Sequence, residues 1–222
     1  MALVAAQSSV AAGSEAATFR VEFAGRTLGT VTFSDDARIS GGGQFLRTTL
    51  NNTPFGLFDG TFEGGSQPDA ASAGSTRIRY ASKSRSTHKA RDISFLIDAG
   101  RVTEIVVSPV GEKTSLSVPD AVSVDVIDPV SAFGRFVRAG SCPEGFNIYD
   151  GRRVDEVAPS GFEVSGGLTR CEIKYTVIAG PGHLSPFRFT EFSMTAIYDT
   201  GKTLKEIDMR TGLLGIRLIA VN

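Results

Sequence analysis

The sequence predicts a mainly β protein, with a single antiparallel curved sheet that forms an open or partial barrel and one short α-helix. Three observations lead to this class. Short segments in which apolar and polar residues alternate recur along the chain, as in strands with one buried face. Many of the 25 glycines separate these segments, where turns are expected. Helical spacing and helical end signals coincide in only one stretch, residues 128–139.

Composition bounds the class of protein. The chain has 222 residues, of which 41% are hydrophobic and 21% charged, so it can bury a core. Its net charge of −1 argues against nucleic-acid binding, which needs a basic surplus. No stretch reaches the roughly 18–20 apolar residues of a membrane-spanning helix. Because composition is uniform and repeats are absent, residues 18–222 are predicted to form a single β-rich domain.

The first 17 residues are small, apolar and rich in alanine. They resemble the end of a secretory signal, with triplets such as Ser9-Val10-Ala11, but a positively charged front is missing. We expect segment 1–17 to be a signal-peptide remnant or a disordered tail.

Hairpins account for most of the predicted strands. Residues 19–33 alternate around a turn at Gly25, residues 92–107 turn at Asp98-Ala99-Gly100, and residues 187–209 turn at Asp199-Thr200-Gly201. A strand is predicted at 45–50 and a small polar loop at 66–75. The apolar end, 212–221, is expected to be buried or paired on both sides. In all, about ten strands are predicted.

A basic run without acidic residues follows the predicted loop. It comprises Arg77, Arg79, Lys83, Arg85, Lys89 and Arg91. One interpretation is a solvated strand whose charges discourage edge pairing. The alternative is a surface for an anionic partner, such as lipid head groups or an acidic protein.

The helix is predicted from its ends as well as its spacing. Asp128 suits the N-cap, Pro129 suits the first helical position and Gly140 ends the helix. We expect it to pack against the concave side or one end of the sheet. Three of its side chains would then face a ligand: Phe133, Phe136 and Val137.

Residues with catalytic or metal-binding potential are sparse. Neither His88 nor His183 has metal-ligand spacing to another suitable side chain, so both are interpreted as ordinary loop residues. No nucleophile elbow, phosphate loop or dinucleotide motif is present. The protein is therefore predicted not to be an enzyme, and no cofactor or metal is expected.

The two cysteines, Cys142 and Cys171, permit three interpretations. A metal pair would need further ligands close by, and free buried thiols would suit a cytosolic protein. A disulfide would suit an exported β-rich domain, and it is the interpretation we favour. Closing a loop of this length would stabilise the fold by roughly 3–4 kcal/mol.

A polar string lies between the cysteines: Tyr149, Asp150, Gly151, Arg152 and Arg153. Asp-Gly permits a bend or bulge, with the two arginines on opposite faces of the following strand. The alternative is a polar site built from its tyrosine, aspartate and arginines. We favour the structural interpretation.

With these residues in view, the chain resembles an uncharacterised family of exported bacterial proteins, the domain of unknown function 3108. The resemblance rests on the opening hairpin, on Asp128-Pro129-Val130-Ser131-Ala132, and on the Tyr-Asp-Gly-Arg-Arg string between two cysteines. It implies a periplasmic β protein from a Gram-negative bacterium and implies no reaction.

Two functions are therefore expected. The first is a carrier or binding module for a hydrophobic molecule, such as a lipid, in cell-envelope maintenance. The second is an interaction or assembly protein of the envelope without a small ligand. An open apolar cavity beside the helix would favour the first, and a filled concave face would exclude it.

Overall fold

The computed structural model describes residues 16–36, 42–53, 59–69, 76–87, 89–183 and 188–221. Most of the predicted 1–17 segment lies outside these residues, as do His88 and residues 70–75 of the predicted loop. The first strand begins at Ala16, two positions before the predicted domain boundary.

One antiparallel sheet contains all the named strands. In its first half these are β1 (Ala16–Phe23), β2 (Arg26–Asp36), β3 (Gly43–Leu50), β4 (Gly60–Pro68), β5 (Ile78–Ser86), β6 (Ala90–Asp98) and β7 (Arg101–Ser108). In its second half they are β8 (Phe146–Tyr149), β9 (Val154–Ser165), β10 (Leu168–Ala179), β11 (Glu191–Tyr198), β12 (Leu204–Thr211) and β13 (Leu214–Ala220). Between the halves lie two short 3-10 turns, Val110–Glu112 and Pro119–Ala121, and the helix α1, Pro129–Arg138.

The spatial order is β7-β6-β5-β4-β3-β2-β1-β13-β12-β11-β10-β9-β8. The sheet is not closed by hydrogen bonds, because β7 and β8 do not pair with each other. The mainly β class and the single open sheet are thus confirmed. The number of strands was underestimated, since the described residues alone form thirteen rather than about ten. The apolar strand β13 pairs with β1 and β12, as expected.

The predicted loop at 66–75 is wrong at its start, because β4 continues to Pro68. The residues are small there because the helix packs on this strand. Ser66 is buried and hydrogen-bonds Asp128, while a Cβ on Gly64 would come within 2.9 Å of Val130 Cγ2. Small polar residues in this strand therefore make room for α1 rather than form a loop.

Helix α1 forms as predicted and lies at one end of the sheet. Asp128 caps it, since its Oδ1 accepts the backbone N–H of Val130 and Ser131. The helix contacts the last residues of three strands that run in the same direction: Asp35 of β2, Ser66 of β4 and Tyr198 of β11. We call this the helix end, and the other end of the sheet the far end.

The two edges of the sheet are joined by a seam, which comprises the connector 109–127 and the turn 149–153. Backbone bonds tie Val126 to Gly100 in the β6–β7 turn and Ile127 to β8. Within the seam the Tyr149 hydroxyl donates to the Leu116 carbonyl at 2.6 Å. The sheet therefore closes through a connector and a turn, without a direct strand pair.

A disulfide fixes the helix to the sheet. Cys142, four residues after α1, bonds Cys171 in β10, with their Cα atoms 5.3 Å apart. Cys171 is completely buried. The bridge favoured from the sequence is present, and it holds the polypeptide leaving the helix against the helix end of the sheet.

Candidate ligand-binding cavity

An apolar cavity of about 500 Å³ lies between α1 and the concave face of the sheet. Its walls include apolar side chains from both halves of the sheet: Leu46, Phe62, Ile93, Met194, Ile207 and Leu218. Cavities of this size are typical of small-molecule sites. The concave face is therefore not filled by the helix.

Two of the three predicted ligand-facing residues line this cavity. Phe133 and Phe136 are lining residues, and Val137 packs against the core beside them. Phe133 also meets the ring of Phe19 edge-on, with the ring centroids 5.6 Å apart. This contact packs the helix against β1. One face of α1 therefore contributes side chains both to the core and to the cavity lining.

Polar side chains gather where the cavity reaches the far end. Asp155 at the start of β9 is 1% exposed, and its Oδ2 accepts the hydroxyl of Tyr175 at 2.6 Å. His183 Nε2 lies 3.2 Å from Asp155 Oδ1. Burial, with the adjacent Asp155 charge, raises the pKa of Tyr175, so its phenol remains protonated and donates. All three residues line the cavity.

The interpretation of His183 as an ordinary loop residue is therefore too simple. Its ring packs between those of Tyr175 and Phe192, 5.6 Å from each, and it bonds a buried carboxylate. Asp155 is distant in sequence from both Tyr175 and His183, so no short linear motif links the three residues. The available signal was Asp155 itself, an acidic residue between Val154 and Val157 in β9.

A second polar group adjoins the first. Arg91 and Arg152 both contact Glu112, with Arg91 Nε 3.0 Å and Arg152 Nη2 3.3 Å from its Oε2. Partial burial would raise the pKa of Glu112, but the hydrogen bond and charge of Arg91 and the charge of Arg152 outweigh it and lower the pKa. Burial, together with Arg91, lowers the pKa of Arg152. Arg91 lines the cavity.

The Tyr-Asp-Gly-Arg-Arg string forms the turn before β9. Asp150 Oδ1 accepts the backbone N–H groups of Arg152 and Arg153, and its Oδ2 accepts Arg153 Nε at 2.9 Å. Both arginines precede the strand, so the expectation that they lie on opposite faces of it is wrong. Arg152 reaches across the seam to Glu112, whereas Arg153 folds back onto Asp150. These hydrogen bonds hold the turn together, and Asp150 also lines the cavity.

The arginines of the basic run form ion pairs with nearby acidic side chains. Arg77 lies near Asp69 and Asp98, Arg79 near Asp69 and Glu104, and Arg85 near Asp92. Lys83 and Lys89 are exposed. Because acidic side chains from neighbouring strands and turns offset its charge, this surface is far less basic than its sequence.

Within the described residues, no group of three His, Cys, Asp or Glu side chains is placed to hold a metal ion. Nor is any described helix long and apolar enough to cross a membrane.

Comparison with known proteins shows the fold. No family model and no curated protein matches the chain. A similar solved structure is titled a beta-barrel-like protein of domain of unknown function DUF1849, from Brucella abortus. The two chains are 11% identical, the alignment covers 94% of this chain and 96% of that one, and the TM-score is 0.52. This likeness does not bear on the resemblance to domain of unknown function 3108, which stays a prediction; it shows a β-barrel-like architecture.

Proposed function

We propose that the protein is a non-enzymatic carrier or binding module for a hydrophobic molecule, such as a lipid, in the periplasm of a Gram-negative bacterium. The observation that supports this most strongly is the apolar cavity between α1 and the concave face. Sheet and helix together bury an apolar ligand, and the polar side chains at the far end suit an amphiphile.

The disulfide supports an oxidising compartment. Such bonds persist in the periplasm and outside cells, and they are rare in the cytosol of mesophiles. The Cys142–Cys171 bond joins the segment after the helix to a fully buried residue of β10, so it is part of the folded domain.

Native mass spectrometry of the oxidised protein after gentle purification tests the proposal, together with titration by an uncharged fluorescent apolar probe. We expect a co-purified lipid or a saturable site for one probe molecule. Ala132 of the helix lines the cavity, whereas Ala81 lies exposed on β5. We expect Ala132→Leu to reduce probe affinity at least about tenfold, because the larger side chain occupies cavity volume that the probe would otherwise fill.

Ala81→Leu is the matched control and should leave probe affinity unchanged. Met194→Phe provides a second filling substitution on the opposite wall, in case Ala132→Leu disturbs the helix. Probe binding that survives both filling substitutions in folded protein would exclude the cavity as the ligand site.

A second candidate function is protein–protein interaction in the envelope. It is favoured by Phe162 and Val164 of β9, which are 71% and 66% exposed. Among the described strands, β8 pairs only with the first four residues of β9, so this apolar portion has one free edge. Exposed apolar edges are typical of strand-addition interfaces. Loss of partner capture in a Phe162→Ser, Val164→Ser variant, with unchanged probe binding, would support it.

A further inference from the structure

The far end of the cavity carries a polar cluster, defined as Arg91, Glu112, Asp150, Arg152, Arg153, Asp155, Tyr175 and His183. Five of these side chains line the cavity: Arg91, Asp150, Asp155, Tyr175 and His183. The other three contact lining residues or their ion-pair partners. A bound amphiphile with its chain among the apolar walls would place its head group here.

The fold already supplies donors to the two carboxylates that face the cavity. Asp155 is engaged by the Tyr175 hydroxyl and by His183 Nε2. Asp150 accepts two backbone N–H groups and Arg153 Nε. Both carboxylates are thus already stabilised in their charged form, and a cationic head group would gain less from either than from an unpaired carboxylate.

The cluster is also balanced in charge. Its three carboxylates, Glu112, Asp150 and Asp155, match its three guanidinium groups, and Lys89 lies exposed beyond them. The formal charges of these six groups sum to zero. A charged head group would therefore enter a largely buried site without a counter-charge, and desolvation would disfavour it.

One group in the cluster remains open to a ligand. A carboxylate only accepts hydrogen bonds, so His183 Nε2 carries the proton toward Asp155, and in that tautomer Nδ1 is an acceptor. Arg153 Nη1 also has no hydrogen-bond partner among the described residues, but Arg153 does not line the cavity. The cluster thus offers one acceptor to a ligand.

We propose that the cavity selects a single-chain amphiphile whose head group is uncharged and carries hydroxyl groups, as in a monoacylglycerol. This inference rests on the proposed function. The head-group hydroxyl donates to His183 Nδ1. The acyl chain runs between the sheet and Phe133 and Phe136 of the helix.

Competition among four ligands of equal chain length tests the inference. Each displaces an uncharged fluorescent apolar probe below its critical micelle concentration: monomyristoylglycerol, methyl myristate, myristate and myristyltrimethylammonium. We expect monomyristoylglycerol to bind about 2- to 10-fold more tightly than methyl myristate, as one added hydrogen bond would give. Both charged ligands should bind more weakly than methyl myristate. Myristate or the ammonium compound binding as tightly as monomyristoylglycerol would overturn the inference.

Two substitutions test whether the polar cluster causes the preference for monomyristoylglycerol over the other ligands. His183→Phe keeps a ring of similar size but removes the acceptor, so monomyristoylglycerol should lose its advantage over methyl myristate. Asp155→Asn leaves one uncompensated positive charge and should shift the preference toward myristate. Asp125→Asn, at an exposed carboxylate paired with Arg101, is the matched control and should not alter the ranking.

His183 lies in a half-exposed loop position, so its substitution tests the inference even if Asp155→Asn fails to fold. An unchanged ranking in folded His183→Phe would contradict the role of the cluster. If the wild-type protein binds neither the probe nor any of the four ligands, the proposed function itself fails. If the probe binds and all four ligands compete equally, only the head-group inference fails.

Discussion

Gly151 lies directly against Ile93, so that a Cβ on Gly151 would come within 2.5 Å of Ile93 Cγ2. Gly151 belongs to the turn of the seam, and Ile93 belongs to β6. Gly151 also has a φ of +93°, in the region that favours glycine. The seam closes the sheet here by direct van der Waals contact between backbone and side chain.

We expect Gly151→Ala to destabilise the protein more than Gly25→Ala. Gly25 has a comparable φ of +77°, but nothing lies within 4 Å of the added Cβ. Both substitutions incur backbone strain, and only Gly151→Ala also overpacks the seam, which costs about 1–3 kcal/mol. Urea denaturation measures the difference in the free energy of unfolding. Equal losses in the free energy of unfolding for the two variants would show that Ile93 can move away from the added methyl group without cost. Adding Ile93→Ala should recover part of the Gly151→Ala loss.

Tyr149→Phe should loosen the seam, because it leaves the buried Leu116 carbonyl without its hydroxyl donor. The expected loss is about 1–3 kcal/mol in the free energy of unfolding. Hydrogen exchange locates the effect, which should raise exchange at 114–117 and 149–153. Tyr198→Phe is a matched control, since that buried hydroxyl donates to Phe136 of the helix at 2.9 Å. Its effect should appear in α1, and the same exchange pattern in both variants would refute a local role for Tyr149.

The disulfide should stabilise the protein by roughly 3–4 kcal/mol in the chain-entropy model. Replacing both cysteines with alanine avoids placing a hydroxyl at the fully buried Cys171 position. Urea denaturation of this variant, beside oxidised and reduced wild type, measures the difference. Alkylation without reductant should add no mass to the oxidised protein, and two adducts after reduction are expected. Two adducts without reductant would disprove the bridge.

Acid should weaken the seam through Glu112. Its pKa is lower in the folded protein than its ordinary value of 4.5, so its contribution to stability is fully present above pH 4.5. That contribution is lost as pH falls through the lowered folded-state pKa. Glu112→Gln should therefore lower the free energy of unfolding by about 1 kcal/mol at neutral pH. The difference in the free energy of unfolding between Glu112→Gln and wild type should disappear in acid.

Glu63→Gln, in an exposed pair with Arg47, is the control and should have a smaller effect. A stability gap for Glu112→Gln that persists unchanged into strong acid would show that the carboxylate charge is not responsible.

Most of the fold prediction rests on the alternation of apolar and polar residues and on the residues typical of turns. The hairpins around Gly25 and Gly100, and the capped helix at Asp128, have local causes that a sequence displays. The strand at Ser66 was missed because its residues are small in order to make room for a helix more than sixty positions later in the chain. Long-range packing of that kind leaves no periodic signal.

The candidate site was predictable only on its helical side. Phe133 and Phe136 lie on a helix whose apolar face the sequence shows. Asp155, Tyr175 and His183 meet because the β9–β10 register brings the first two together and the following loop returns to them. The register of two strands cannot be read from the sequence alone. A search for short sequence motifs therefore does not find the cluster.

The placement of β1 beside β13 has a consequence for topology. Apart from this pair, every hydrogen-bonded neighbour in the sheet is also the next strand in the chain. A circularly permuted chain that joined Ala220 to Ala16 and opened in the connector would turn the whole sheet into an uninterrupted meander. In the natural order, the β1–β13 pair has by far the largest sequence separation of the strand pairs in this sheet, so it carries the largest loop-closure entropy among them.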